Sequence, residues 1–204
     1  MKLLGIRKET KNKWEARVPL NPEAVRELVE RGVRVKVQPS AIRVYKDEEY
    51  VKAGAEICED LSDCSFILGV KEIPIDDILP GIPQLFFSHV IKGQDYNMHL
   101  LQKILDSEAT LLDYEKITDV EDRRLVFFGR YAGNAGMVET LWGLGQRLKE
   151  KYGVETPFLR MKQAYQYNSV PDAVEHLKSI GKEIKQNGLG KSIHPLVFFV
   201  MGYG

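Results

Sequence analysis

Four places in the sequence put ionisable side chains where packing alone does not ask for them. Lys71-Glu72 follows the apolar run Phe66–Val70. A lysine at a buried strand end loses hydration, which lowers its pKa toward the range useful for proton transfer, while the adjacent carboxylate opposes that shift. Ser88-His89 follows Leu85-Phe86-Phe87, and an imidazole suits acid–base work near neutral pH. Glu115 follows Leu112-Asp113-Tyr114, with Arg123-Arg124 further along, before the apolar Leu125–Phe128. Upstream, Arg7-Lys8-Glu9-Thr10 and Trp14-Glu15-Ala16-Arg17-Val18-Pro19-Leu20 form a charged loop, in which Arg17 could grip a carboxylate bidentately. Taken singly, each has a plainer reading: an exposed pair opening a loop, a hydrogen-bonded structural histidine, a solvated carboxylate, a surface arginine. Taken jointly, Lys71, His89 and Glu115 each follow an expected strand at its carboxyl end. Parallel strands gather those ends on one edge of a sheet, where open α/β sheets place ligands. An amine, an imidazole, carboxylates and arginines in one cleft suit a substrate with several carboxylates and a nitrogen needing proton transfers.

The elements that must position these groups are legible as an alternation. Lys2–Ile6 reads as a first strand. Asn21-Pro22-Glu23 supplies an N-cap, a proline at the first helical position and an acidic first turn, for a helix through Val25, Leu28 and Val29 that stops at Gly32. Val33–Val37 alternates as a half-buried strand does, and Asp47–Ala53 predicts a short helix closed by Gly54. Phe66–Val70, Gln84–Ser88 and Ala109–Tyr114 read as further strands, with a helix over Asn97–Ser107. This rhythm predicts an α/β fold: a Rossmann-like, mostly parallel sheet flanked by helices.

A substrate-side domain is expected over 1–132, followed by connecting helices and an interdomain segment over 133–195. The first of those helices, over 133–150, sets Met137, Leu141, Leu144 and Leu148 on one face, with Gly133 and Gly136 open to a close neighbour. The second runs over Pro171–Asn187 from a Ser169 cap and is closed by Gly188. His99 and His176, on helix patterns, are expected to face solvent. Leu196–Met201 reads as a buried strand running into Gly202-Tyr203-Gly204. Residues 196–204 are therefore expected to form the first strand and Gly-x-Gly start of a truncated NAD(P)-binding domain, with Gly202 and Gly204 against the cofactor; a plain turn is the alternative.

Composition narrows the function classes. The 204 residues are 44% hydrophobic and 28% charged, and Lys plus Arg balances Asp plus Glu at 29 each. Zero net charge removes the electrostatic case for nucleic-acid or membrane adhesion. Cys58 and Cys64 make neither a disulfide framework nor a zinc-ligand set, so no metal is expected and a reducing, cytoplasmic compartment is. No apolar run approaches the roughly 20 residues of a membrane helix.

At the residues above, the sequence resembles the saccharopine dehydrogenase family, particularly its lysine–2-oxoglutarate reductase (lysine-forming saccharopine dehydrogenase) group. It shares the wider layout of the alanine dehydrogenase and transhydrogenase N-terminal domain. Further matching segments are Val35–Ser40, Tyr50–Ala55, Ile67–Lys71, Phe86–Lys92, Leu112–Lys116, Phe128–Met137 and Lys191–Leu196, in consistent order nearly end to end. The resemblance implies that Lys71 and His89 are the acid–base pair, that Glu72 and Glu115 tune them, and that Arg17 and Arg124 bind substrate carboxylates. It further implies an NAD- or NADP-dependent oxidoreductase acting on the CH–NH bond of saccharopine, or joining lysine and 2-oxoglutarate. Most of the cofactor domain falls beyond Gly204, so the chain alone is expected to be inactive unless that domain is supplied in cis or by a partner polypeptide. The alternatives are alanine dehydrogenase-like chemistry and a non-catalytic interaction domain retaining the fold.

Overall fold

In the computed structural model, residues 3–189, 193 and 196–201 are described. The chain divides into two compact units, Met1–Phe127 and Phe128–Gly204.

The first unit alternates strands and helices: β1 (Leu3–Ile6), α1 (Pro22–Glu30), β2 (Arg34–Val37), α2 (Asp47–Lys52), β3 (Glu56–Ile57), β4 (Phe66–Leu68), β5 (Gln84–Phe86), α3 (Asp95–Asp106) and β6 (Leu111–Asp113). Every strand pairing is parallel, in the order β3-β2-β1-β4-β5-β6. The expected α/β class and mostly parallel sheet are therefore what the chain forms. α1 begins as its cap residues dictate: the Asn21 side chain accepts the Ala24 N–H at 2.9 Å, and Pro22 starts the first turn. Helices over a parallel sheet bury its strands on both faces, so the central strands are apolar runs. Ile6, Val35, Val37 and Leu68 pack with Val25 of α1 and Tyr50 of α2, while Phe86 packs with Leu100 and Ile104 of α3.

β4 and β5 come out shorter than the expected Phe66–Val70 and Gln84–Ser88, yet ladder bonds continue past them. Gly69 N–H donates to Leu85 O and Phe87 N–H to Val70 O, both at 3.0 Å. β3 was not foreseen, because two residues are too few to show alternation. The consequence that matters lies in the strand order. From β1 the chain builds outward through β2 and β3, then returns to add β4 on β1's other side. That reversal, between β1 and β4, is the place where open α/β sheets hold ligands.

The second unit holds α4 (Gly129–Tyr152) and α5 (Val170–Asn187). The Ser169 hydroxyl accepts the Asp172 N–H at 3.2 Å, capping α5 as expected. Val138, Phe158, Met161, Ala173 and Ile180 form the buried cluster. Gly133 and Gly136 do not serve a close contact: a Cβ at either would meet nothing within 4 Å. The close approach is at Gly145, where a Cβ would stand 2.5 Å from the Phe158 carbonyl carbon. The expected face of α4 is largely the packed one: Leu141 and Leu144 pack against the cluster and Leu148 is buried, while Met137 is exposed and Val138 takes its place.

His99 is exposed, but His176 is half-buried, with its Nδ1 2.8 Å from the Tyr167 hydroxyl. Leu196–Met201 does not form the expected buried strand. These residues take no regular secondary structure, and Val197, Phe199 and Met201 are exposed. A strand needs a neighbour for its N–H and C=O groups, and among the described residues none of the six strands pairs with this segment. Gly202 and Gly204 lie outside the described residues. Among the described residues no helix is long and apolar enough to cross a membrane.

Candidate active site

The loop after β1 and the segment after β4 meet at the reversal of strand order. The buried Glu9 carboxylate crosses it, accepting the Val70 N–H at 2.7 Å and the Lys71 N–H at 2.9 Å. Arg7, also buried, places Nη2 3.2 Å from Asp77 and 3.1 Å from the Thr10 hydroxyl. Burial pushes the Glu9 pKa up and the Arg7 pKa down, and the attraction between the two charges opposes both shifts.

Lys71 and His89 leave neighbouring strands on the same edge of the sheet. Glu72 links the two segments: its Oε1 lies 2.7 Å from His89 Nδ1, with the carboxylate and the ring both largely buried. Its second oxygen sits 3.5 Å from the Lys11 ammonium. Burial would raise the Glu72 pKa, but the His89 hydrogen bond and the Lys11 charge hold it below the usual carboxylate value.

The histidine is held in an unusual conformation, with φ +58°. A left-handed non-glycine residue costs roughly 1–3 kcal/mol and persists only where its surroundings fix it. Ser88, fully buried next to it, donates both its N–H and its hydroxyl to Asp113 Oδ2, and its carbonyl accepts from Asn97 at 2.7 Å. The imidazole lies nearly parallel to the Phe87 ring, 6.4 Å between centroids. With Nδ1 on a carboxylate, the ring tautomer is set as Nδ1–H, which leaves Nε2 as the proton-accepting atom.

Arg17 and Glu15 make a two-point pair, Nε to Oε1 at 2.6 Å and Nη2 to Oε2 at 2.5 Å. Burial would raise Glu15, but Arg17's hydrogen bonds and charge, with a smaller contribution from Lys71, bring it below the ordinary value. That contribution puts the Lys71 amine within electrostatic reach of the Arg17 pair. Tyr114 is pushed up to about 12, by burial first and then by the Glu9 charge.

Glu115 stands apart from this group. Its carboxylate is 3.2 Å from Arg124 and 3.5 Å from Lys92, and among the described residues it has no hydrogen bond to Lys71 or His89. The structure thus gathers Lys71, Glu72, His89 and Arg17 around the loop after β1. Glu115 and Arg124 form a second ionic group beside the β5 and β6 ends. Glu9, Glu15, Ser88 and Asp113 were not singled out from the sequence for these contacts. Glu15 had a signal, since it lies two residues before Arg17. Glu9 had none, because its partners are 61 and 62 residues away.

This unit has the strand order of a dinucleotide-binding fold without the means to hold one. The turn after β1 is Arg7-Lys8-Glu9 where that function needs glycines. The N–H groups at the reversal of strand order are taken by the Glu9 carboxylate, whose charge would repel a pyrophosphate. Among the described residues no group of three or more His, Cys, Asp or Glu could hold a metal ion.

Comparison with known proteins shows the family and the fold. The family model described as alanine dehydrogenase/PNT, N-terminal domain, matches residues 5–135. An alpha-aminoadipic semialdehyde synthase of Arabidopsis thaliana is 46% identical over 99% of this chain, which covers 20% of that protein. Its mitochondrial namesake in Bos taurus is 42% identical over 99% of this chain and 22% of that protein. A saccharopine dehydrogenase [NAD(+), L-lysine-forming] of Candida glabrata is 34% identical over 72% of this chain and 41% of its own. The chain thus spans about a fifth of the length of the first two relatives. Among solved structures, an L-alanine dehydrogenase superposes with TM-score 0.61 at 20% identity, covering 88% of this chain and 52% of that one, which establishes likeness of fold.

Proposed function

The chain belongs to the alanine dehydrogenase/PNT N-terminal domain family, and from that premise we propose that it is the substrate-binding and acid–base half of a saccharopine dehydrogenase or lysine–2-oxoglutarate reductase. The observation that carries this reading is the 2.7 Å Glu72–His89 pair next in sequence to Lys71, beyond the carboxyl ends of β4 and β5. The printed names of the curated relatives supply the substrate class.

Joining the ε-amine of lysine to the ketone of 2-oxoglutarate needs a deprotonated amine, and then a proton on the carbinolamine oxygen as water leaves. His89 Nε2 takes the first proton, since Glu72 holds the other ring nitrogen as a donor. The Lys71 ammonium gives the second. Arg17, oriented by Glu15, and Arg124, oriented by Glu115, bind carboxylates of a substrate that carries three of them once joined. Glu72 tunes the pair by touching His89, while Glu115 acts through Arg124 and Lys92. Reduction of the imine belongs to a nicotinamide, NAD or NADP, held by a domain beyond the described residues, in cis or on a partner polypeptide. Its two free cysteines suit a reducing compartment; the Bos taurus relative is named mitochondrial, so the cytoplasm is one such compartment rather than the assigned one.

The test joins or co-expresses the chain with its dinucleotide domain and follows saccharopine-dependent NAD(P)H formation, with L-alanine in parallel. Lys71→Met and His89→Gln should each lower kcat/KM by roughly 10²–10⁴-fold. Activity that survives both changes together rejects the assigned roles. Turnover of L-alanine but not saccharopine selects alanine dehydrogenase chemistry, and no turnover of either selects an interaction domain.

A further inference from the structure

We infer that Glu9 is a positioning residue for Lys71: its carboxylate fixes the backbone that aims the lysine. The inference rests on the acid–base role proposed for Lys71.

Successive N–H groups in an extended strand point to opposite sides. Val70 and Lys71 instead turn both of theirs onto one carboxylate, at 2.7 and 2.9 Å. The chain after β4 therefore leaves the sheet in one fixed direction, and the Lys71 side chain starts from a fixed Cα. The grip needs two acceptor oxygens. A glutamine would present an NH₂ to one of the two donors, leaving a buried N–H facing another donor.

A buried carboxylate is costly to hold ionised, so a purely structural link would be made more cheaply by neutral groups. The two N–H hydrogen bonds and the Arg7 charge offset part of that cost, while burial still leaves the Glu9 pKa above its ordinary value. Arg7 lies buried beside Glu9, and Gly69 makes room for the arginine stem, since a Cβ there would stand 3.1 Å from Arg7 Cδ and 3.3 Å from Cγ. Glu9 thus grips the two peptide groups that lead into Lys71, with Gly69 and Arg7 packed beside its side chain. Glu9 touches no reacting atom in this scheme.

The experiment substitutes Glu9→Gln in the chain joined to its dinucleotide domain, with Gly69→Ala as a second variant that keeps the carboxylate but crowds Arg7. Three readouts are taken. Amide exchange at Val70 and Lys71 should rise at least about 10-fold relative to the β1 amides. The pH midpoint for acetylation of the Lys71 amine by acetic anhydride, followed on the peptide by mass spectrometry, should move. Saccharopine turnover should fall roughly 10–100-fold in kcat, with KM within about 3-fold. Gly69→Ala should move all three the same way by less.

Faster amide exchange with an unmoved acetylation midpoint reduces Glu9 to a structural role and overturns the inference. So does a folded Glu9→Gln protein in which neither changes. If Glu9→Gln does not fold, the Gly69→Ala midpoint decides by the same criterion. If the unsubstituted joined protein turns over no saccharopine, the functional reading fails, and exchange and acetylation still judge the grip on Lys71.

Discussion

The Met1–Phe127 unit buries five charged side chains, Arg7, Glu9, Glu15, Lys36 and Arg43, whereas among the described residues of Phe128–Gly204 the one buried polar residue is Thr156. Burying charge is costly unless each group is paired. Two of the five are paired away from the site: Lys36 with Asp63 at 2.8 Å, and Arg43 with Asp47 while lying over the Tyr50 ring. The other three share the loop that leaves β1 at the reversal of strand order. The second unit is held by an apolar cluster, and its ion pairs, such as Arg160–Glu183, lie on the surface. Chemistry is therefore to be sought in the unit that sustains buried charge at the strand ends.

That contrast can be broken at several points. The largest effect expected is from Phe158→Ala, which empties the centre of the apolar cluster and should destabilise the second unit by about 3–5 kcal/mol. Fluorescence of Trp142, packed against that cluster, reports it in a Trp14→Phe background during urea unfolding. A loss below about 1 kcal/mol would mean the cluster does not hold this unit together. Gly145→Ala should follow at roughly 1–3 kcal/mol, because the new methyl meets the backbone of Phe158 and Leu159 rather than a side chain that can turn aside. The same fluorescence titration measures it.

In the first unit, Glu15→Gln tests the buried charge through pH. Glu15 has a lowered pKa when folded, so the unfolded chain binds its proton first as pH falls. The stability it contributes is complete above its ordinary value of 4.5 and is lost as pH falls through the lower, folded value. Discounted for the exposure of Arg17, this amounts to about 1 kcal/mol at most. Glu9 has the opposite sign: its raised pKa makes the ionised form a cost to folding, which is relieved as pH falls through the folded value. Urea midpoints at several pH values should therefore fall less steeply on acidification in Glu15→Gln than in the parent, and more steeply in Glu9→Gln. Identical slopes would remove the electrostatic contrast. The smallest effect is expected for Arg160→Ala, under about 0.5 kcal/mol, since its ion pair is exposed to solvent. A loss above about 2 kcal/mol would show that surface charge does hold the second unit.

Much of the architecture was legible because its signals are local. Asn21-Pro22 and Ser169 announce helix starts through side chains that reach two or three residues ahead, and both caps form. The runs around Phe66 and Gln84 are apolar because both sheet faces are covered. Along α4 the expected Leu141, Leu144 and Leu148 are packed or buried, and only Met137 gives way to Val138, because a 3.6-residue period leaves adjacent positions at a face's rim nearly equivalent and the packing partner chooses between them. Leu196–Met201 misled for a related reason: apolar character marks a segment fit for burial but does not supply the neighbour that buries it.

In the site, the ends of β4 and β5 could be read residue by residue, and Lys71 and His89 stand there on one sheet edge. The reach of Glu9 across more than sixty residues, the division of Glu72 to His89 and Glu115 to Arg124, and the left-handed turn at His89 were not readable. By itself the sequence determined which residue types stand at strand ends, where helices begin, and that the sheet is parallel, since these follow from short-range propensity and periodicity. Only the tertiary structure decided which carboxylate meets which cation, because long-range pairing is settled by strand order, and strand order is a property of the closed sheet rather than of any one segment.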